Sequence, residues 1–271
     1  RDFSAADSAK RLILKLYADD ISKYAGNDAP KVRGVFNQIP GQLAKKEKRY
    51  FLTSVSEGAR MREYAESFRW LDESKTVNIA RNANDPNVSL GMSEDYDTQK
   101  LYSSDTGLLI SQAFSEKDLV TEQIHRRILF DALEINRGML MENVVAQMFR
   151  AAGRELYFHK VNDREDACNR MEIEFLLSKS RLTARHNVVP IEVKSSKDYT
   201  TTSLDRFKDK FPGYCAERIV LHPGAADFSG DIIYLPLYMA PLLVRRDRMD
   251  SSQQPLPDPS WPQASDGFAH P

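Results

Sequence analysis

The chain has 271 residues, with 38 basic and 39 acidic side chains, a formal net charge of -1 and an apolar fraction of 41%. That length accommodates one large or two ordinary domains, and the charge balance excludes a global field drawing the chain to nucleic acid or membrane, so any such contact is a local patch. Two cysteines, Cys168 and Cys215, make no disulfide framework or zinc spacing, five histidines are scattered, and no apolar run spans a membrane, which together favour a cytoplasmic protein.

The first residue is Arg1 rather than Met, and the chain is read as a fragment or a processed product. Residues 1–30 predict a linker helix, with Leu12, Ile13, Leu16, Tyr17, Ile21 and Tyr24 at helical spacing, closed by Gly26-Asn27-Asp28 and Pro30. Residues 31–110 predict a winged-helix-like unit. Val32, Val35, Phe36 and Ile39 form one stripe, Gln42 to Lys48 a second short helix, and Ser54-Val55-Ser56-Glu57 a capping box for a third helix with Met61, Tyr64, Phe68 and Leu71 inward. Extended pieces at Thr76–Ala80 and Lys100–Ser103 complete a hairpin, and Asp105 with Gly107 predicts a turn with glycine at positive φ.

Residues 111–245 predict an α/β core. A helix opens at Gly138 and stops at Gly153, three strands follow at Tyr157–Val161, Met171–Leu177 and Val188–Ser195, and a helix at Thr202–Phe211 precedes a strand at Arg218–Leu221. The order is αβββαβ. Residues 246–271 form a polar, Pro-rich tail, read as linker or disorder.

The stretch Pro190-Ile191-Glu192-Val193-Lys194-Ser195-Ser196 carries the most chemistry. Side chains alternate along a strand, so Glu192 and Lys194 share one face and Ile191 and Val193 the other. In Met171-Glu172-Ile173-Glu174-Phe175-Leu176-Leu177 the acids share a face opposite Met171, Ile173, Phe175 and Leu177. Pairing the two strands sets Glu174 beside Glu192 and Lys194. Phosphodiester hydrolysis needs a metal to polarise phosphate and activate water, and Mg²⁺ or Mn²⁺ takes oxygen ligands. Glu174 and Glu192 are the candidate metal ligands. Lys194 and Glu142 are the candidate catalytic residues, Lys194 stabilising charge or holding water and Glu142 supporting from the edge of a buried helical stripe. The plainer alternative is a solvated strand face with a favourable charge pair. Glu172 is read as an exposed edge charge.

Arg60, Arg62 and Arg69 are candidate phosphate contacts on the third helix, near the basic Lys45–Arg49 stretch. Glu57, Glu63 and Glu66 oppose that reading, and a helix used only for packing is the equal alternative. No Gly-x-x-x-x-Gly-Lys-Ser/Thr occurs, so the chain has no P-loop for ATP.

Several short stretches, taken in order, carry a resemblance. They are Tyr17-Ala18-Asp19-Asp20-Ile21, Ile39-Pro40-Gly41-Gln42-Leu43, Trp70-Leu71, Lys100-Leu101-Tyr102, Asp105-Thr106-Gly107-Leu108, Gly138 with Glu142-Asn143, Glu172-Ile173-Glu174-Phe175, Ile191 to Ser196 and Leu235-Pro236-Leu237-Tyr238. From Leu12 to Leu243 the chain resembles the C-terminal region of a family of prokaryotic AAA-type ATPases, catalogued as Domain of Unknown Function 4143. The resemblance implies an ATP-binding domain ahead of Arg1, a winged-helix unit, and a restriction-endonuclease-like PD-(D/E)xK domain. It also implies that Glu142 is the helix acid, Glu174 stands where the strand Asp usually is, and Glu192 with Lys194 forms the ExK pair. Two functions are expected from this. One is metal-dependent DNA hydrolysis with Mg²⁺ or Mn²⁺; the other is a non-catalytic module binding DNA or a protein partner under control of the ATPase. Pure oligomerisation is a third.

Overall fold

The computed structural model describes residues 2–45, 47–114, 123, 137–162, 169–178, 188–196, 198–215 and 217–244. The tail at 246–271, Cys168, His125, His186 and His270 lie outside the described residues.

Helix α1 (Phe3–Tyr24) is capped by Asp2, whose side chain accepts from Ala5 N. Its apolar residues divide between two faces. Ile21 is buried and Leu14 and Tyr17 pack against the core, whereas Leu12, Ile13, Leu16 and Tyr24 are exposed. The stripe expected from the sequence is therefore split. The helix is also held by polar contacts, because the fully buried Asp7 carboxylate pairs with Arg11 at 2.8 Å and accepts from Ser111 Oγ at 2.5 Å.

Helix α2 (Ala29–Leu43) runs through Pro40 for one more turn. A second helix over Gln42–Lys48 is not formed. Gln42 instead lies in the last turn of α2 and donates to Phe51 O. The expected capping box is not formed either. Leu52–Ser54 is a 3-10 turn, Ser54 Oγ donates to Phe51 O, and Gly58 takes φ +74°, which only glycine adopts without strain. Helix α3 (Met61–Glu73) therefore starts after an extended, uncapped Arg60. It buries Tyr64, Ser67, Phe68 and Leu71.

Strands β1 (Val77–Ala83) and β2 (Glu94–Ser103) form an antiparallel hairpin. Asp105 then caps helix α4 (Thr106–Ala113), accepting from Leu108 N at 2.8 Å. Gly107 is helical rather than at positive φ; it is tight because a Cβ there would fall 2.9 Å from Asp105 Oδ1.

Helix α5 (Arg137–Ala151) leads into β3 (Leu156–Val161), β4 (Met171–Ser178) and β5 (Val188–Val193), then α6 (Thr202–Lys210), β6 (Arg218–His222) and β7 (Ile232–Pro236). The αβββαβ order read from the sequence is present. The seven strands among the described residues form one mixed sheet in the order β2-β1-β3-β4-β5-β6-β7. The hairpin expected as part of a separate winged helix is instead the edge of this sheet, because β1 pairs in parallel with β3.

Two apolar clusters sandwich the sheet. The larger joins α1, α2, α3, α4 and α5 to Ile79, Phe158, Phe175, Ile191, Val193 and Leu221. The smaller joins Leu204 and Phe207 of α6 to Ile173, Leu176, Val188 and Val220. Neighbours Val220 and Leu221 fall in different clusters, as strand alternation requires.

Candidate functional site

Strand β5 is buried along its whole length, Glu192 included. Ile191 and Val193 enter the larger core. Glu192 stands level with Val220 of β6, which belongs to the smaller core beside α6. Lys194, just past the strand, donates its backbone N–H to Leu221 O and so stays in line with the sheet. Its Nζ lies 2.7 Å from Glu192 Oε2.

Strand β4 departs from simple alternation. Met171 and Ile173 pack with α6, whereas Phe175 and Leu177 enter the larger core. The expectation that all four share one face fails because β4 carries an extra residue opposite β3. Tyr157 pairs with Leu176 and His159 with Ile173, a two-residue step against three. This is a β-bulge, and it turns the strand's phase at Glu174. On the other side Phe175 pairs with Ile191, and Glu174 and Glu192 are the next residues beyond that pair on their strands.

Glu142 rises from α5 and is almost wholly buried. It is ion-paired to Lys48 and accepts from Tyr102 OH at 3.3 Å. Its neighbour Asn143 clamps α5 to the end of β2, accepting from Ser103 N at 2.8 Å and donating to Ser103 O at 3.1 Å.

The charges form one connected cluster. Burial pushes the Glu174 carboxyl up to about 8, and repulsion from Glu142 and Glu192 adds to it. Burial also raises Glu192. Burial pulls Lys194 down, but Glu174 and Glu192 more than offset this and hold it firmly cationic. Glu172 is not the exposed edge charge expected. Burial would raise it, yet Lys100 and Lys160 draw it down to about 2. Their Nζ atoms lie 2.7 and 2.9 Å from its carboxylate. Lys100 is fully buried, its Nζ 4.8 Å from the Phe158 ring centre, and burial alone would neutralise it; Glu172, Glu142 and Glu174 keep it charged.

The structure thus joins Glu192 directly to Lys194, seats Glu142 on Lys48 and Tyr102, and places Glu174 under the influence of all three predicted partners. Sequence reasoning missed Lys48, Lys100, Tyr102 and Lys160. Lys100 and Tyr102 left a signal, a lysine and a tyrosine two apart on one face of an otherwise apolar strand end. Lys48 left none.

Glu174 Oε2 is enclosed and accepts no hydrogen bond among the described residues, whereas Glu192 Oε2 is held by Lys194 Nζ at 2.7 Å. An orphaned carboxylate oxygen of this kind fits a hard divalent cation. Mg²⁺ commonly uses one or two protein carboxylates and keeps several waters. Among the described residues no three His, Cys, Asp or Glu side chains converge as a ready-made ligand set. A cavity of about 560 Å³ lies elsewhere, between α3 and the hairpin, and none of the four predicted residues lines it.

Mixed α/β architecture with a buried acid–lysine cluster is the class these features define. The family described as Domain of unknown function (DUF8612) matches residues 1–118, and that described as Domain of unknown function (DUF4143) matches residues 137–239. No curated protein and no solved structure matches the chain. No helix among the described residues is long and apolar enough to cross a membrane.

Proposed function

We propose that this chain is a metal-dependent phosphodiester hydrolase of the PD-(D/E)xK type, acting on DNA, with Glu174, Glu192, Lys194 and Glu142 as its site. The observation that carries the reading is the enclosed, unsatisfied carboxylate oxygen of Glu174 together with the Glu192 carboxylate and a half-buried, cationic Lys194. Glu174 and Glu192 would hold Mg²⁺ or Mn²⁺, which when bound supplies phosphate polarisation and a more acidic water. Lys194 stays an ammonium, so its work is electrostatic. It neutralises charge that grows on the phosphate oxygens as the water oxygen bonds to phosphorus and the bond to the leaving oxygen breaks. Glu142 contributes negative potential from α5 and keeps Glu174 in tension with its neighbours. Arg62 on α3 and Arg60 just ahead of it, which have no ion-pair partner among the described residues, are the phosphate contacts left; Arg69 is paired with Glu66 and Glu73.

A second reading keeps the fold without the catalysis, as a DNA- or protein-binding module under an ATP-binding domain of the kind the resemblance implies. The occupancy of Glu142 by Lys48 and Tyr102 favours it, because an acid already satisfied is less available.

Calorimetry with Mn²⁺ on the wild type and on Glu192→Ala separates the two. Binding in the wild type that is lost in the variant, with plasmid cleavage lost on Lys194→Ala, is the expected result. Wild-type protein that binds no Mn²⁺ at millimolar concentration sinks the hydrolase reading.

A further inference from the structure

The stretch Glu47–Arg49 follows α2, far in sequence from the acids, yet it lies across them. Lys48 Nζ engages the buried Glu142 carboxylate. Glu47 Oε1 receives Lys160 Nζ at 2.9 Å, and Lys160 in turn joins Glu172, which joins Lys100. Arg49 lies over the Phe51 ring, 4.5 Å from its centroid. The stretch has no helix or strand of its own to hold it. Next to it Tyr50 is anchored twice, through its N–H to Gln99 O at 2.8 Å and its hydroxyl to Val35 O at 2.9 Å. The strap is thus fixed at its C-terminal end and seated over the cluster by charge.

We infer that Lys48 is an internal cation of the acidic site, a positioning residue from the DUF8612-matching part of the chain that occupies Glu142 and competes with a divalent ion for the cluster. This rests on the metal-site reading above. The physical case is one of charge balance. Glu142 and Glu192 both repel the buried Glu174 carboxylate, and a positive charge on Glu142 relieves part of that repulsion. The same charge repels a divalent ion that approaches the Glu142 side of the cluster, and a low-dielectric setting strengthens that repulsion. The Lys48 side chain borders solvent, 12% exposed. Lys100, fully buried and tied to Glu172, does not.

The test is Mn²⁺ titration calorimetry on the full chain, comparing wild type with Lys48→Met, Lys48→Gln and Lys48→Arg. Lys48→Met keeps length and removes charge. Lys48→Gln also keeps a hydrogen-bond donor for Glu142 and serves should the methionine variant not fold. The expected result is Mn²⁺ affinity about tenfold tighter in the two neutral variants and wild-type affinity restored by arginine. A purely structural lysine would show the opposite sign, because its loss would loosen the site and weaken binding. Wild-type protein that binds Mn²⁺ while the neutral variants bind equally or more weakly overturns the inference and leaves the metal site standing. Absence of Mn²⁺ binding in every variant overturns both.

Discussion

Glu172 and Glu174 are two residues apart on one strand and titrate in opposite directions, because two ammonium groups outweigh burial at Glu172, whereas burial, reinforced by the Glu142 and Glu192 carboxylates, prevails at Glu174. The consequences for stability have opposite signs. Glu174 is held up to about 8, above its ordinary 4.5, so the folded state binds a proton that the unfolded chain has lost. Its contribution is complete below pH 4.5 and disappears as pH rises through about 8. Glu174→Gln removes that loss, and the variant is expected to melt at least about 4 °C above the wild type at pH 9, with a much smaller difference at pH 5. Equal melting curves at pH 9 would refute this. Glu172, held down to about 2, contributes above pH 4.5 and loses that contribution as pH falls toward 2. Lys100→Ala leaves Glu172 short of a partner beside a buried void. It is expected to cost about 3–5 kcal/mol in urea unfolding at pH 7, and a cost below about 1 kcal/mol would show that the pair is dispensable.

At the scale of elements, the bulge in β4 and the clamp at the end of β2 decide where the acids go. Alternation alone would carry Phe175 to the same core as Ile173; the extra residue sends it instead toward α5 and turns the strand at Glu174. Asn143 satisfies both the N–H and the C=O of Ser103, and its Nδ2 also donates to Thr106 Oγ1 at 2.9 Å. Asn143→Ala would leave buried backbone groups unpaired where β2 passes into α4. A loss of about 2–4 kcal/mol in chemical denaturation is expected. The same variant should weaken Mn²⁺ binding if α5 positions Glu142; unchanged metal affinity in a folded variant would separate the clamp from the site.

On the scale of the whole molecule, two family matches meet in one sheet. The DUF8612 match ends at residue 118 and the DUF4143 match begins at residue 137, yet β1 from the first pairs with β3 from the second and both contribute to the larger core. The sequence divides near residue 110, where the fold does not. Residues 1–118 or 137–239 expressed alone would expose the β1–β3 edge and half of that core. Neither is expected to give a cooperative melt or dispersed amide resonances, whereas mixing the two should restore both. A cooperative transition in either piece alone would count against a shared core. The site is likewise shared, with acids from the later part and Lys48, Lys100 and Tyr102 from the earlier.

Local chemistry was legible in the sequence. Glu192 lies on β5 and Lys194 two residues on, just past the strand end but in line with the sheet, so backbone alternation brings them together. The helices over residues 29–43 and 137–151 and the αβββαβ order followed from apolar period and from Gly153. The capping box and the second short helix predicted from local patterns are not formed and the apolar stripe of α1 is split, because packing decided those segments. Ser54 found Phe51 and Gln42 instead of a helix end, and α1 was docked through Tyr17, Ile21 and Asp7. The partner of Glu142 lies 94 residues away in sequence. No spacing rule links residues so far apart, and only the closure of one sheet over two family segments sets Lys48 on that acid.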